Sequence, residues 1–263
     1  DAGRLHRAKE AGVLKPVSMP LLEETIPKEL RDDAGYWYGL TLRARPIIYA
    51  KDRVTPSDLS TYEALAEAQW SGRLCLRSSQ SVYNQSLVAA TIDALGASNT
   101  QSWMEGMVKN LAKAPSGGDT DQLKALAAGV CDVTIVNTYY LGRMINSSKQ
   151  ADQNVASKVA VFWPNQTGSG ALSRGAHFNV SGAGFTKYGK HLKQAQALLE
   201  YLASESAQAW YAEINNEYPV VEGVEISSAL KSFGAYKMDS IDLEILGQNN
   251  RQAAQLMDRA GWR

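Results

Sequence analysis

Histidine and cysteine are nearly missing from this chain: three and two among 263 residues. No C-x-x-C pair occurs and His6, His177 and His191 are scattered, which argues against a Cys/His zinc site. Net charge is missing too. The 27 lysines and arginines balance 27 aspartates and glutamates, so neither nucleic acid nor an anionic membrane is an expected partner. Apolar runs are interrupted far short of the roughly 18–20 residues that cross a bilayer. A soluble globular chain is expected, long enough to bury its core in one large domain or two lobes. Phenylalanine is scarce at 4 residues while tyrosine reaches 12.

Several catalytic motifs are absent as well. Gly168-Ser-Gly170 lacks the third glycine of a dinucleotide fingerprint, and no phosphate-loop motif occurs. Ala171-Leu-Ser173-Arg-Gly175 resembles a nucleophile elbow, but no acidic residue lies between Ser173 and the last histidine, His191. The triad order of such hydrolases therefore fails.

Short β-branched runs alternate with longer amphipathic stretches. Strands are predicted over 46–50, 73–77, 131–137, 158–163 and 178–181. Helices are predicted over 59–69, 84–95, 100–112, 120–128, 140–148, 190–204, 207–215 and 247–260, on apolar stripes such as Leu198, Leu199 and Leu202. The first residues read as a helix capped by Asp1 and stopped at Gly12. Asp119-Thr-Asp-Gln122 has the form of a capping box. The alternation predicts an α/β fold with largely parallel strands. The glycine-rich stretch 168–175 reads as a crossover between lobes.

The tyrosines sit at telling places. Tyr139 and Tyr140 follow the strand Val133-Thr-Ile-Val-Asn137, and Tyr83 follows the strand around Cys75. Ligands of open α/β sheets bind at the C-terminal ends of strands. Rim packing with the hydroxyls in water is the plainer reading. As ligands, phenols with a pKa near 10 need a cation able to displace their protons. Fe(III) does so and prefers anionic oxygen, whereas zinc or copper would recruit His or Cys. Ser78, Ser79 and Ser81 surround a predicted helix N-terminus, which either is simply capped or favours an anion. Arg43 and Arg45 flank a strand start, where they either face solvent or supply a guanidinium to that anion. Cys75 and Cys131 are either two buried thiols or, in an exported protein, a disulfide.

These residues make a resemblance specific. The segments Asp1-Ala-Gly-Arg-Leu, Gly39-Leu-Thr-Leu-Arg-Ala-Arg45, Cys75-Leu-Arg-Ser-Ser79, Tyr83-Asn-Gln-Ser86, Gly117-Gly-Asp-Thr-Asp-Gln122, Val136-Asn-Thr-Tyr-Tyr140, Asn216-Glu-Tyr-Pro219 and Asp258-Arg-Ala-Gly-Trp-Arg263 run the length of the chain. Together they resemble the periplasmic ferric-ion-binding proteins of bacterial iron ABC importers, in their cyanobacterial form. The resemblance implies a two-lobed, type II periplasmic-binding fold closing on Fe(III). One lobe would comprise 1–43 and 178–229, the other 44–177 and 230–263. It implies Tyr83, Tyr139 and Tyr140 as metal ligands and Arg43 with Ser81 as holders of a carbonate or bicarbonate. Asn137 and Asp119 would line the site. A monomeric, non-enzymatic receptor working with an inner-membrane ABC permease in the periplasm is expected, with Cys75 and Cys131 disulfide-bonded. The family's first strand and helix, at least about 30 residues, are expected to be absent from this sequence. Competing readings are an anion or organic-solute receptor of the same fold, and an enzyme, either a Ser173 hydrolase or a tyrosinate-iron oxygenase.

Overall fold

A computed structural model describes residues 1–263. Helix α1 (Ala2–Glu10) starts where the Asp1 carboxylate accepts the Gly3 N–H at 3.0 Å and stops at Gly12, whose φ of 65° suits glycine. Strand β1 (Leu14–Lys15) and helix α2 (Pro20–Thr25) lead into β2 (Tyr38–Ala44), buried along its whole length. Pro46 has no N–H to donate, and beyond it β3 (Ile47–Ala50) joins a different sheet. Residues 59–69, predicted as one helix, form two short 3-10 turns instead. They are followed by β4 (Leu74–Cys75).

The predicted helices 84–95 and 100–112 are one element, α3 (Val82–Lys109), broken only where Gly96 takes φ 77° and ψ 162°. Helix α4 (Asp119–Ala127) is capped at Gly118, whose N–H donates to Asp121 at 2.7 Å. Asp119 is therefore not the cap that the D-x-x-Q pattern suggested. Its carboxylate serves arginines instead. Strand β5 (Val133–Ile135), α5 (Thr138–Ile145), α6 (Gln150–Lys158) and β6 (Val159–Phe162) follow. The glycine-rich stretch lies in the connection from β6 to β7 (Phe178–Ala183), which changes sheets. The remaining elements are β8 (Phe185–Thr186), α7 (Leu192–Leu202), α8 (Glu205–Trp210), β9 (Tyr218–Pro219), α9 (Ser228–Ser232), α10 (Leu243–Gln248) and α11 (Asn250–Arg259).

One sheet has the order β7-β2-β9 and is antiparallel; the other has the order β4-β5-β3-β6. A third, two-stranded ladder pairs β1 with β8. The expectation of largely parallel strands is wrong. Only β4 and β5 are parallel, because β3 enters from the neighbouring sheet and so runs against β5 and β6. That one parallel pair decides where the chemistry lies, since parallel neighbours deliver their C-terminal ends to the same edge. Cys75 in β4 and Cys131 just before β5 are disulfide-bonded, with Cα atoms 5.8 Å apart. No helix is long and apolar enough to cross a membrane.

Candidate metal site

Both tyrosine-bearing turns begin at this edge. Helices α3 and α5 start earlier than the apolar pattern predicted, at Val82 and Thr138. Tyr83, Tyr139 and Tyr140 thus belong to first helical turns rather than to irregular connections. Successive helical residues are about 100° apart, which lets Tyr139 and Tyr140 flank one point instead of facing opposite ways. Their ring centroids are 4.4 Å apart, and the Tyr139 hydroxyl donates to that of Tyr83 at 3.2 Å. The Tyr140 ring thereby stands beside that pair. Three phenols from two parallel strand ends therefore converge.

Cations surround them. The Arg43, Arg45 and Arg77 guanidinium carbons lie 5.6, 5.7 and 5.2 Å from the centre of the Tyr83 ring, and Arg143 lies 5.0 Å from that of Tyr139. Burial raises the pKa of each phenol, and Tyr139 and Tyr140 stay above the ordinary value of 10.0. Tyr83 goes the other way. Against its own burial, hydrogen bonds with Tyr139 and Tyr140 and the charge of Arg43 hold it below 10.0. Tyr83 is therefore the first of the three to lose its proton.

Beneath the phenols lies a buried polar cluster. Asp119 accepts from Arg45 Nη1 at 3.0 Å, from Arg77 Nη1 at 3.0 Å and from the Asn137 N–H at 2.8 Å. Asn137 Oδ1 accepts from Arg45 at 3.1 Å, and its amide reaches the Tyr139 hydroxyl at 3.5 Å. Asn84 Oδ1 accepts from Arg45 Nη2 at 2.6 Å. Arg45 is 1% exposed and Asp119 fully buried, so removing Asp119 leaves the Arg45 charge with neutral partners only, at a cost of about 3–5 kcal/mol, whereas without Arg45 the Asp119 carboxylate still pairs with Arg77.

The predicted anion holders fare differently. Arg43 donates through Nη2 to the Val180 carbonyl at 2.6 Å, while its buried Nε has no partner. Ser81 occupies the N-cap of α3, but its hydroxyl makes no capping bond and is buried without a partner. Both keep unused hydrogen-bonding capacity beside Tyr83. Arg45, paired with Arg43 in the sequence reading, also has a buried Nε without a partner, but both its Nη atoms are committed to carboxylate and amide oxygens, whereas Arg43 engages only Nη2. Arg77, Asn84 and Arg143 were not read as parts of the tyrosine cluster, and Arg45 was read only as a candidate holder of the anion. Asn84 and Arg77 each had one signal, the first beside Tyr83 and the second next to the serine turn.

The other motifs lie elsewhere. Ser173 sits in an exposed 3-10 turn rather than between a strand and a helix, with Lys237 Nζ 3.2 Å from its hydroxyl. His177 is buried near Arg45 and Arg174, and burial with those charges pulls its pKa down to about 3. No three His, Cys, Asp or Glu side chains come together. A groove of about 320 Å³ between β8 and α7 is lined by Phe185, Leu192 and Leu199 and contains none of the tyrosines.

The chain as a whole is similar to known proteins. Residues 1–238 match the family described as bacterial extracellular solute-binding protein. Over 262 residues the chain is 49% identical to iron uptake protein A2 of Synechocystis sp. (strain ATCC 27184 / PCC 6803 / Kazusa), covering 100% of this chain and 75% of that protein. The solved structure of Trichodesmium IdiA (FutA) in complex with iron and citrate ligands superposes with a TM-score of 0.96 at 49% identity, covering 100% of this chain and 82% of that one. Apo ferric ion-binding protein A of Pasteurella haemolytica superposes with a TM-score of 0.92 at 38% identity, over 100% and 80%. The fold is thus the two-lobed one of periplasmic binding proteins. The chain belongs to the bacterial extracellular solute-binding proteins, within the cyanobacterial-type branch of periplasmic ferric-ion-binding proteins.

Proposed function

We propose that the chain is a periplasmic Fe(III) receptor that delivers its cargo to an ABC permease, with Tyr83, Tyr139 and Tyr140 as metal ligands. The observation that carries this reading is the convergence of three phenols from two parallel strand ends, with the Tyr139 and Tyr83 hydroxyls 3.2 Å apart and the Tyr140 ring 4.4 Å from that of Tyr139. Three phenolates balance a charge of +3, and hard oxygen donors suit Fe(III) better than zinc or copper. Arg43 and Ser81, with unpartnered polar atoms beside Tyr83, are assigned to an anion such as carbonate or bicarbonate that fills remaining coordination positions. Asp119 and Asn137 line the site beneath. The lobes are assigned as 1–43 with 178–229 and 44–177 with 230–263, in keeping with β2, β7 and β9 forming one sheet and β3 to β6 the other. The protein acts as a monomer and performs no catalysis.

Titration with a ferric chelate should develop the visible phenolate-to-iron charge-transfer colour. The double substitution Tyr139→Phe, Tyr140→Phe should remove it; retention of both colour and affinity would sink the ligand assignment. The unused donors of Arg43 and Ser81 favour one second reading, an anion receptor without metal. Metal analysis of the purified protein with anion competition separates the two.

A further inference from the structure

Arg45 stands out among the arginines around the tyrosines because both of its terminal nitrogens are engaged by side chains, with only its buried Nε unpartnered. Nη1 donates to Asp119 Oδ2 and to Asn137 Oδ1, and Nη2 donates to Asn84 Oδ1. These three partners are not neighbours in sequence. Asp119 is the first residue of α4, Asn137 is the N-cap of α5, and Asn84 lies in the first turn of α3. One guanidinium therefore joins the N-termini of three helices.

Each partner passes the constraint on. Asp119 accepts the Asn137 N–H, which orients the start of α5 two residues before Tyr139. Asn84 donates through Nδ2 to the carbonyls of Arg77 and Ser78 at 3.0 and 3.2 Å, which fastens the turn running from β4 into α3 and so the base of Tyr83. Arg45 itself is held from the backbone. Its N–H donates to the His177 carbonyl at 2.9 Å, and its carbonyl accepts from the Tyr62 hydroxyl at 2.7 Å. A planar fork with donors in fixed directions does this, whereas a lysine ammonium is a point charge with no such geometry. Arg45, Asp119 and Asn84 are all essentially inaccessible to solvent, so water cannot replace a lost arm easily.

We propose that Arg45 is a positioning residue for ferric-ion capture, setting the separation of Tyr83 from Tyr139 and Tyr140 through Asn84, Asp119 and Asn137 without itself touching metal or anion. The proposal rests on the tyrosine-ligand reading given above. It also separates the two arginines of Arg43-Ala-Arg45: Arg43 faces the cargo, while Arg45 sets the frame. Outer-shell partners that orient metal ligands typically change metal affinity by about 10–100-fold when lost, which is the size of effect expected here.

The experiment compares the wild type with Arg45→Lys, Asn84→Ala and Arg53→Lys, using ferric nitrilotriacetate as the iron source. Arg53 is a fitting control. It is as well connected as Arg45, pairing with Asp132 and with the carbonyls of Leu126 and Cys131, but it sits at the opposite end of β5 from Tyr139. Three quantities are read: ferric affinity, the position of the charge-transfer band, and amide hydrogen exchange of the 136–141 segment in the iron-free protein. Arg45→Lys and Asn84→Ala should each weaken ferric affinity by at least about tenfold and move the band, and Arg45→Lys should also speed exchange at Asn137. Arg53→Lys should lower stability only. If Arg45→Lys does not fold, Asn84→Ala carries the decision, since it removes one arm and keeps the buried charge pair. Unchanged affinity and band in a folded Arg45→Lys or Asn84→Ala protein overturn the proposal. Loss of the band in the Tyr139→Phe, Tyr140→Phe protein alongside that result leaves the ligand reading standing, so the two failures are distinguishable.

Discussion

Tyr139 donates its hydroxyl hydrogen to Tyr83 across 3.2 Å, joining residues 56 positions apart in the chain. The contact exists because β4 and β5 are parallel neighbouring strands and each hands its chain to a helix at the same edge. Single loss of either hydroxyl should therefore act on both the metal and the other phenol. Tyr139→Phe removes a hydrogen bond that helps hold Tyr83 below its ordinary pKa. In the iron-free protein, ultraviolet titration of tyrosinate should show the lowest-titrating phenol moving upward. Ferric affinity should fall by more than the roughly 10–100-fold typical of outer-shell changes.

Iron loading should release protons. The ligands must be deprotonated to bind, and phenols with an ordinary pKa near 10 are protonated at neutral pH, Tyr139 and Tyr140 the more firmly because burial raises them. Calorimetry in buffers of different ionisation enthalpy should count about three protons released per iron if all three phenols ligate. Affinity should fall as pH falls, because protons compete with the metal. A release of one proton or fewer would contradict ligation by Tyr139 and Tyr140.

Arg43 leads to an anion-specific expectation. Its Nε is buried and unpartnered beside Tyr83. Ferric affinity measured with and without bicarbonate should differ in the wild type, and Arg43→Gln should abolish most of that difference. An equal bicarbonate effect in both proteins would remove Arg43 from the anion site.

The disulfide should matter to stability rather than to recognition. Cys75 and Cys131 are separated by 56 positions, and closing a loop of that size contributes about 4 kcal/mol on the chain-entropy account. Urea unfolding with and without reductant should show a loss of that order. The charge-transfer band of the loaded, still folded protein should not move.

Asp239, whose N–H donates to the Ala176 carbonyl at 3.0 Å, lies beside Arg174, which it meets at 3.5 Å and which also pairs with Glu63 at 2.7 Å. Burial pushes its carboxyl up to about 6, with Arg174 offsetting part of that rise. The folded state thus holds a proton that the unfolded chain, near 3.8, releases. Its contribution is fully present below about pH 4 and is lost as pH rises through about 6, an effect on the order of 1–3 kcal/mol. Urea unfolding at pH 4.5 and 7.5 should show this decline in the wild type and a flatter dependence in Asp239→Asn.

Much of this site was legible without coordinates. Scarce His and Cys beside abundant Tyr pointed to hard oxygen ligation, and local sequence placed Tyr83, Tyr139 and Tyr140 just after short β-branched runs. Those are one-dimensional facts, since residue type sets donor chemistry and apolar periodicity marks most strands and helices. Periodicity failed where its signal is weakest. It missed β2, whose residues are buried throughout and do not alternate, and it joined the two 3-10 turns over 63–70 into a helix. It also began α3 and α5 late, because their first turns carry polar site residues rather than core ones.

The tertiary structure decided which charges meet. Asp119 reads as a helix cap in the sequence and becomes the acceptor for Arg45, Arg77 and Asn137 only when α4 is laid beside α5 and the strand crossing at Arg45. Arg43 and Arg45 are indistinguishable by type and spacing. Partner geometry separates them, leaving Arg43 with a single bond, from Nη2 to a backbone carbonyl, and tying both Nη atoms of Arg45 to three helix ends. Residue chemistry is a local property and can be read along the chain. A partner's direction depends on how distant segments pack, and here one parallel strand pair set it.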